Sequence, residues 1–311
     1  MSNWIKNLAC LATVALVAAC GGGDDHPAPP VNIVQTAQAN AQFSILVEAV
    51  TAADLGATLS GPGPFTVFAP TNDAFAALLT ELNLTKAQLL ADKPLLTAVL
   101  TYHVLPSKVN KAAVPLGLPI TTVQGDIFKI DAVGAALRIT DGRNRTSTIV
   151  TADIAASNGV IHAIDKVLLP PDKNIVQTAQ ATPDFSILVE AVVAANLVDT
   201  LSGAGPFTVF APTNAAFAAL LTELGISKAA LLADTALLAK VLTYHVLPGR
   251  VLKAQVPVGA AITTVQGETF TVNAALAITD KRGRTSNITG TDVLARNGVI
   301  HVIDKVILPA P

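Results

Sequence analysis

Residues 65–72 read Phe-Thr-Val-Phe-Ala-Pro-Thr-Asn, and residues 207–214 repeat the same eight residues. The match extends far beyond this stretch. Asn32–Ala39 recurs as Asn174–Ala181, and Phe43–Ala49 recurs as Phe185–Ala191, both at an offset of 142. Later segments match at an offset of 139, as in Asn158–His162 against Asn297–His301. The three-residue difference falls where Asp131–Leu137 shortens to Asn273–Leu276, which predicts a surface turn there. Repeats of about 140 residues are too long for solenoid units and describe two self-contained domains in tandem. Their boundaries are expected near 31–170 and 172–310, with Pro170-Pro171-Asp172 as a short connection that restricts their relative orientation.

Within one copy the pattern changes from helical to strand-like. Phe65, Val67 and Ala69 alternate with Thr66, Phe68 and Pro70, which predicts a strand with a buried middle. Proline ends it. Thr71 and Asn72 are candidate helix N-caps, and Phe75, Leu78, Leu79 and Leu82 follow at helical spacing. Ile45, Leu46, Ala49 and Val50 form an earlier apolar face. Thr85 is expected to cap a further helix, and another runs from near Asp92, with Pro94 in its first turn, to about His103. Strands are expected at 120–123, 127–130, 137–140, 148–154 and 160–169. Asp141-Gly142 and Asn158-Gly159 read as two-residue hairpin turns. A helical cluster feeding a mostly antiparallel sheet is α+β.

The N-terminus bears on the compartment. Lys6 precedes an apolar run from Leu8 to Ala19 that is too short to span a membrane, as a secretory signal would be. It ends Val17-Ala18-Ala19-Cys20, which resembles the lipobox of bacterial lipoproteins, so residues 1–19 are expected to be removed and Cys20 lipidated, against the plainer reading of an ordinary signal peptide cut after Ala19 with Cys20 left as a free thiol. Residues 20–30, rich in Gly, Asp and Pro, read as a flexible tether. Gly21 after the cysteine is similar to outer-membrane sorting in enteric bacteria. With Cys10 removed and Cys20 acylated, the domains hold no cysteine and fold by packing alone. The formal charge of −2 argues against nucleic acid as a partner, since phosphate binding needs a strong basic face.

Few side chains suggest chemistry. Apart from His26, the histidines come as matched pairs, His103 with His245 and His162 with His301. Two histidines and no cysteine per copy fall short of a zinc site, and no metal or cofactor is expected. Tyr102-His103 and Tyr244-His245 end a predicted helix. Their plain reading is a buried, hydrogen-bonded pair, with Asp165 or a backbone carbonyl as partner. Ser44, His103 and Asp165 compose a triad only on paper, since no Gly-x-Ser-x-Gly elbow is present. Arg143 and Arg145, matched by Arg282 and Arg284, put cations on a hairpin tip in both copies. They are a candidate contact for an anionic glycan or headgroup, against the plainer reading of a solvated turn.

Together these motifs resemble the fasciclin (FAS1) domain family. Phe65–Asn72 and Phe207–Asn214 are similar to its first motif box. Asn158–Asp165 and Asn297–Asp304 are similar to its second, with Tyr102-His103 and Tyr244-His245 between them. The resemblance implies two domains, each a helical cluster packed on a wedge-like β-sandwich. Read from the residues themselves, Thr71, Asn72, Thr213, Asn214, His162, Asp165, His301 and Asp304 are structural positions. The resemblance also implies adhesion or extracellular interaction with a protein or glycan rather than catalysis, and association of Tyr102, His103, Tyr244 and His245 with binding. The acidic adhesion motifs that accompany that role in animal members are absent. The expected protein is a lipid-anchored, non-enzymatic component of a Gram-negative envelope. The alternative is a periplasmic carrier with an apolar pocket between helices and sheet.

Overall fold

The computed structural model describes residues 31–311. Lys6, Cys10, Cys20, His26, and with them the expected signal and tether, lie outside the described residues. In the first repeat a helical cluster comes first: α1 (Ile33–Gln38), α2 (Ser44–Ala52) and α3 (Gly56–Ser60). Strand β1 (Phe65–Pro70) follows, then α4 (Asn72–Leu82), α5 (Lys86–Ala91) and α6 (Lys93–Tyr102). The chain then builds β2 (Val104–Leu105), β3 (Pro119–Thr121), β4 (Ile127–Val133), β5 (Ala136–Thr140), β6 (Thr146–Ala156) and β7 (Gly159–Ile164).

The second repeat follows the same order. Its helices are α7 (Ile175–Gln180), α8 (Ser186–Ala194), α9 (Val198–Ser202), α10 (Asn214–Leu224), α11 (Lys228–Ala233) and α12 (Thr235–Tyr244). Its strands are β8 (Phe207–Pro212), β9 (Val246–Pro248), β10 (Ala261–Thr263), β11 (Thr269–Val272), β12 (Ala277–Thr279), β13 (Thr285–Ala295) and β14 (Gly298–Ile303).

Each repeat forms one seven-stranded sheet, in the order β2-β1-β7-β6-β5-β4-β3 and its counterpart. Only β1 with β7, and β8 with β14, run parallel. The long strands β6 and β13 carry bulges opposite β7 and β14. Bulges bend and twist a strand, so β6 serves both halves of the folded sheet. Two cores result. Val67, Ala69, Ile161 and Ala163 join the helices in one, while Phe68, Ile164, Tyr102, Phe128 and Ile139 form the other between the sheet halves. Strand β1 is therefore buried on both faces, which explains its near-continuous apolar sequence.

Local chemistry sets the helix starts. Thr71 caps α4 by accepting from the Ala74 amide, and Thr85 forms a capping box with Gln88 on α5. Asp92 caps α6, with Pro94 in its first turn. Asn72 departs from expectation. It is the first residue of α4, and its side chain reaches a different helix: Oδ1 accepts from the Ile45 amide at 3.0 Å, and Nδ2 donates to the Ala41 carbonyl. Asn72 therefore positions the start of α2.

The two predicted hairpin turns also differ from expectation. Neither Asn158 nor Gly159 has positive φ. Asn158 instead accepts from the Ile33 amide and donates to the carbonyls of Leu59 and Gly61, pinning α1 and α3 to the sheet. Gly159 is required by close approach, because a Cβ there would lie 2.0 Å from the Phe65 carbonyl oxygen. At Asp141-Gly142 the connection extends to residue 145, with Asn144 taking the left-handed conformation. The strand expected to reach residue 169 stops at Ile164, and residues 167–169 run on outside the ladder with buried side chains.

Candidate functional site

The Tyr-His pair sits where α6 enters β2, with Tyr102 and His103 essentially inaccessible. The Tyr102 hydroxyl donates to the Ile127 carbonyl at 2.6 Å. Burial raises its pKa well above the usual value, and the charge of Asp141 adds to the shift. His103 Nδ1 donates to the Val99 carbonyl at 2.7 Å, and Nε2 accepts from the Leu168 amide at 2.8 Å. This fixes a neutral tautomer, and burial lowers the pKa to about 4. His245 repeats the arrangement with Val241 and Ile307, and its pKa is also about 4. Tyr244 donates to the Thr269 carbonyl, and burial pushes its hydroxyl up to about 12. In this conformation none of the four side chains offers a surface to a partner.

The second motif is equally occupied. His162 accepts at Nδ1 from the Asp153 amide and donates at Nε2 to the Val109 carbonyl, and His301 does the same with Asp292 and Val251. Asp165 accepts from the Ser147 hydroxyl and the Thr148 amide, so it is not the partner of His103. Asp304 repeats this with Ser286 and Asn287. Ser44 bonds Asn72. Ser44, His103 and Asp165 thus each have separate partners and compose no triad. Among the described residues no group of His, Cys, Asp and Glu is arranged to hold a metal.

The hairpin arginines surround a buried carboxylate that sequence reading missed. Asp141 accepts from the amides of Arg143, Arg145 and Leu169, and burial raises its pKa while those bonds oppose the rise. Arg145 bridges Glu81 at 2.8 Å and donates to the Val167 carbonyl. Arg143 reaches the Pro170 carbonyl and Asp172. In the second copy Asp280, Arg282, Arg284 and Glu223 repeat the cluster, with Pro309 and Val306 as carbonyl partners. The arginines clamp the segment that ends each domain. Only the repeated Asp-Gly or Asp-Lys before them signalled a turn, and nothing local signalled a buried hub.

Two copies of this constellation, each bound to a two-faced strand, match a known domain. The fasciclin domain model matches residues 41–170 and 183–309. The chain belongs to the fasciclin domain family. Protein sll1483 of Synechocystis sp. is 44% identical over 144 residues, covering 45% of this chain and 74% of that protein. Transforming growth factor-beta-induced protein ig-h3 of Sus scrofa is 32% identical over 252 residues, covering 81% of this chain and 35% of that protein. Human periostin is 27% identical over 277 residues, covering 88% and 30%. The chain spans about a third of the length of these two animal relatives. The solved fasciclin domain pair of the insect cell adhesion molecule fasciclin I aligns with a TM-score of 0.44 at 19% identity, covering 88% of this chain and 95% of that one.

In both fasciclin domains the space between helices and sheet is nearly filled. An apolar cavity of about 30 Å³ lies among Ile33, Leu46, Leu59, Val67, Leu100 and Ile161, and its counterpart among Ile175, Leu188 and Ile300 is the same size. A further apolar cavity of about 90 Å³ lies in the second domain among Phe217, Leu220, Leu231 and Leu308. All three are far below the 300–1,000 Å³ of a small-molecule pocket. No described helix is long and apolar enough to cross a membrane.

Proposed function

We propose that this fasciclin protein is exported and anchored through Cys20 to the envelope of a Gram-negative bacterium. There it acts without catalysis, mediating contact with an extracellular protein or glycan. Fasciclin domains generally serve adhesion or extracellular interaction. The observation that carries the reading is the engagement of the repeated Tyr, His and Asp side chains in buried bonds to backbone. This leaves recognition to exposed faces on a rigid scaffold. The Val17-Ala18-Ala19-Cys20 sequence supports the anchor, and Gly21 after it supports outer-membrane placement. The carrier alternative calls for a far larger cavity than the apolar ones of about 30 Å³ in each core and about 90 Å³ in the second.

A binding screen of the full chain against envelope polysaccharides and matrix proteins tests the reading. Saturable binding to one class is expected, and binding to neither would contradict it. The anchor has its own test by fractionation: Cys20→Ser is expected to leave the membrane fraction, and its retention there would overturn the lipidation.

A further inference from the structure

The two fasciclin domains meet head to tail, through different faces. Domain 1 offers β4 and the turn before β6. Domain 2 offers the bulged part of β13 and the segment after β9. Lys129 Nζ lies 2.8 Å from Asp292 Oδ2 and 3.0 Å from Asp131 Oδ2. Burial alone would lower the Lys129 pKa, but the bonds to Asp292 and Asp131 raise it overall, so the ammonium is held charged. Asn144 clasps the backbone of Leu294 with two bonds, accepting from its amide at 2.6 Å and donating to its carbonyl at 3.0 Å. Ile127 is buried in a cluster with Leu252, Leu294 and Val299.

Because the domains are repeats, each also carries the face that the other uses. A contact between unlike faces of like units leaves one copy of each face vacant, and such contacts propagate into open chains unless the rotation closes a ring. In domain 1 the vacant face has Asn110, Asp153 and Ala155 where domain 2 has Leu252, Asp292 and Leu294. In domain 2 the vacant face has Thr269, Thr271 and Gly283 where domain 1 has Ile127, Lys129 and Asn144.

Asp153 is retained for a reason internal to the domain. It takes the left-handed conformation and accepts from the Lys111 amide at 2.8 Å, as Asp292 does from Lys253 at 2.7 Å. The other five positions have no such duty, and at all five the contacting side chain is gone or cut back, although Ala155 keeps the backbone groups that Asn144 bonds at Leu294. Asn110, Asp153 and Ala155 are correspondingly exposed, whereas Leu252, Asp292 and Leu294 are buried.

We infer that these differences between the repeats permit one domain–domain contact and block the same contact with a second copy of the chain. The interface is a one-way lock, with Lys129, Asn144 and Ile127 as its key and Leu252, Asp292 and Leu294 as its seat. Growth by the same geometry stops because neither vacant face keeps its half.

The test rebuilds the missing halves in the full chain. Domain 1 receives Asn110→Leu and Ala155→Leu, and domain 2 receives Thr269→Ile, Thr271→Lys and Gly283→Asn. Asparagine is tolerated at the last position, because Gly283 (φ +73°) and Asn144 (φ +62°) share the left-handed conformation. Sedimentation across concentration should show a monomeric parent and a doubly grafted chain whose mean mass rises with concentration. That rise is expected below the effective concentration that a short linker supplies, on the order of 1 mM. Chains grafted on one face alone should stay monomeric and form one-to-one dimers when mixed. A doubly grafted chain with parental circular dichroism and melting that stays monomeric throughout would overturn the inference. If that chain does not fold, the mixed single-face variants decide: dimers support the lock and two folded monomers refute it.

Discussion

The Leu168 amide donates to His103 Nε2 at 2.8 Å across 65 residues of sequence, tying the end of α6 to the segment that closes the domain. The bond requires a neutral ring, because Nδ1 is already the donor to Val99. His245 and Ile307 hold the same relationship in the second domain.

Stability is therefore expected to fall in mild acid. The folded pKa of about 4 for His103 and His245 lies below the ordinary 6.5, so between these values the unfolded chain binds more protons. The contribution is fully present above pH 6.5 and is lost as pH falls to about 4, on the order of 3 kcal/mol per domain. Urea midpoints measured from pH 7 to pH 4 check this. His103→Gln should flatten the slope for the first domain, and an unchanged slope would place the acid sensitivity elsewhere.

Asn72 and Thr71 should separate by what they hold. Thr71→Ala removes one cap bond and is expected to cost about 1 kcal/mol. Asn72→Ala unties α2 from α4 and should cost about 2 kcal/mol. Hydrogen exchange localises the second effect, with faster exchange expected at the Ile45 amide.

The turn before β7 should tolerate almost nothing. Asn158→Ala leaves the Ile33 amide and two carbonyls without partners, at a cost of about 2–4 kcal/mol by thermal or urea unfolding. Gly159→Ala places a methyl against the Phe65 carbonyl and should open the parallel pairing of β1 with β7, costing about 3 kcal/mol or more.

The hairpin arginines should behave as structure. Replacing Arg143, Arg145, Arg282 and Arg284 with serine breaks the clamp on residues 167–170 and 306–309. The melting temperature should drop while retention on a polyanionic glycan resin holds. Lost retention with unchanged stability would instead make the patch a binding site.

What the sequence revealed depended on how local the cause was. The repeat, the α+β order, the caps at Thr71 and Thr85 and the helix start near Asp92 were legible because propensity and periodicity act within a few residues. The roles of Asn72, Asn158 and Asp141 were not, because each side chain bonds backbone tens of residues away in sequence. A hairpin signal such as Asn-Gly reports that a turn is allowed, and here Gly159 answers to the approach of β1 instead. Lys129 and Asn144 looked like ordinary polar positions, since their partners lie in the other domain. Tyr102 and His103 stood out correctly as a motif, but pairing alone does not tell a buried hydrogen-bonded set from a contact surface.

Under the proposed function the repeated motifs hold the fold and recognition lies on exposed faces. The most direct measurement compares the parent chain with Tyr102→Phe/Tyr244→Phe on whichever glycan or matrix protein the screen identifies, reading affinity and unfolding together. The account predicts unchanged affinity and a loss of about 1–3 kcal/mol for each domain, because the carbonyls of Ile127 and Thr269 lose their donors. Unchanged stability with abolished binding would contradict it.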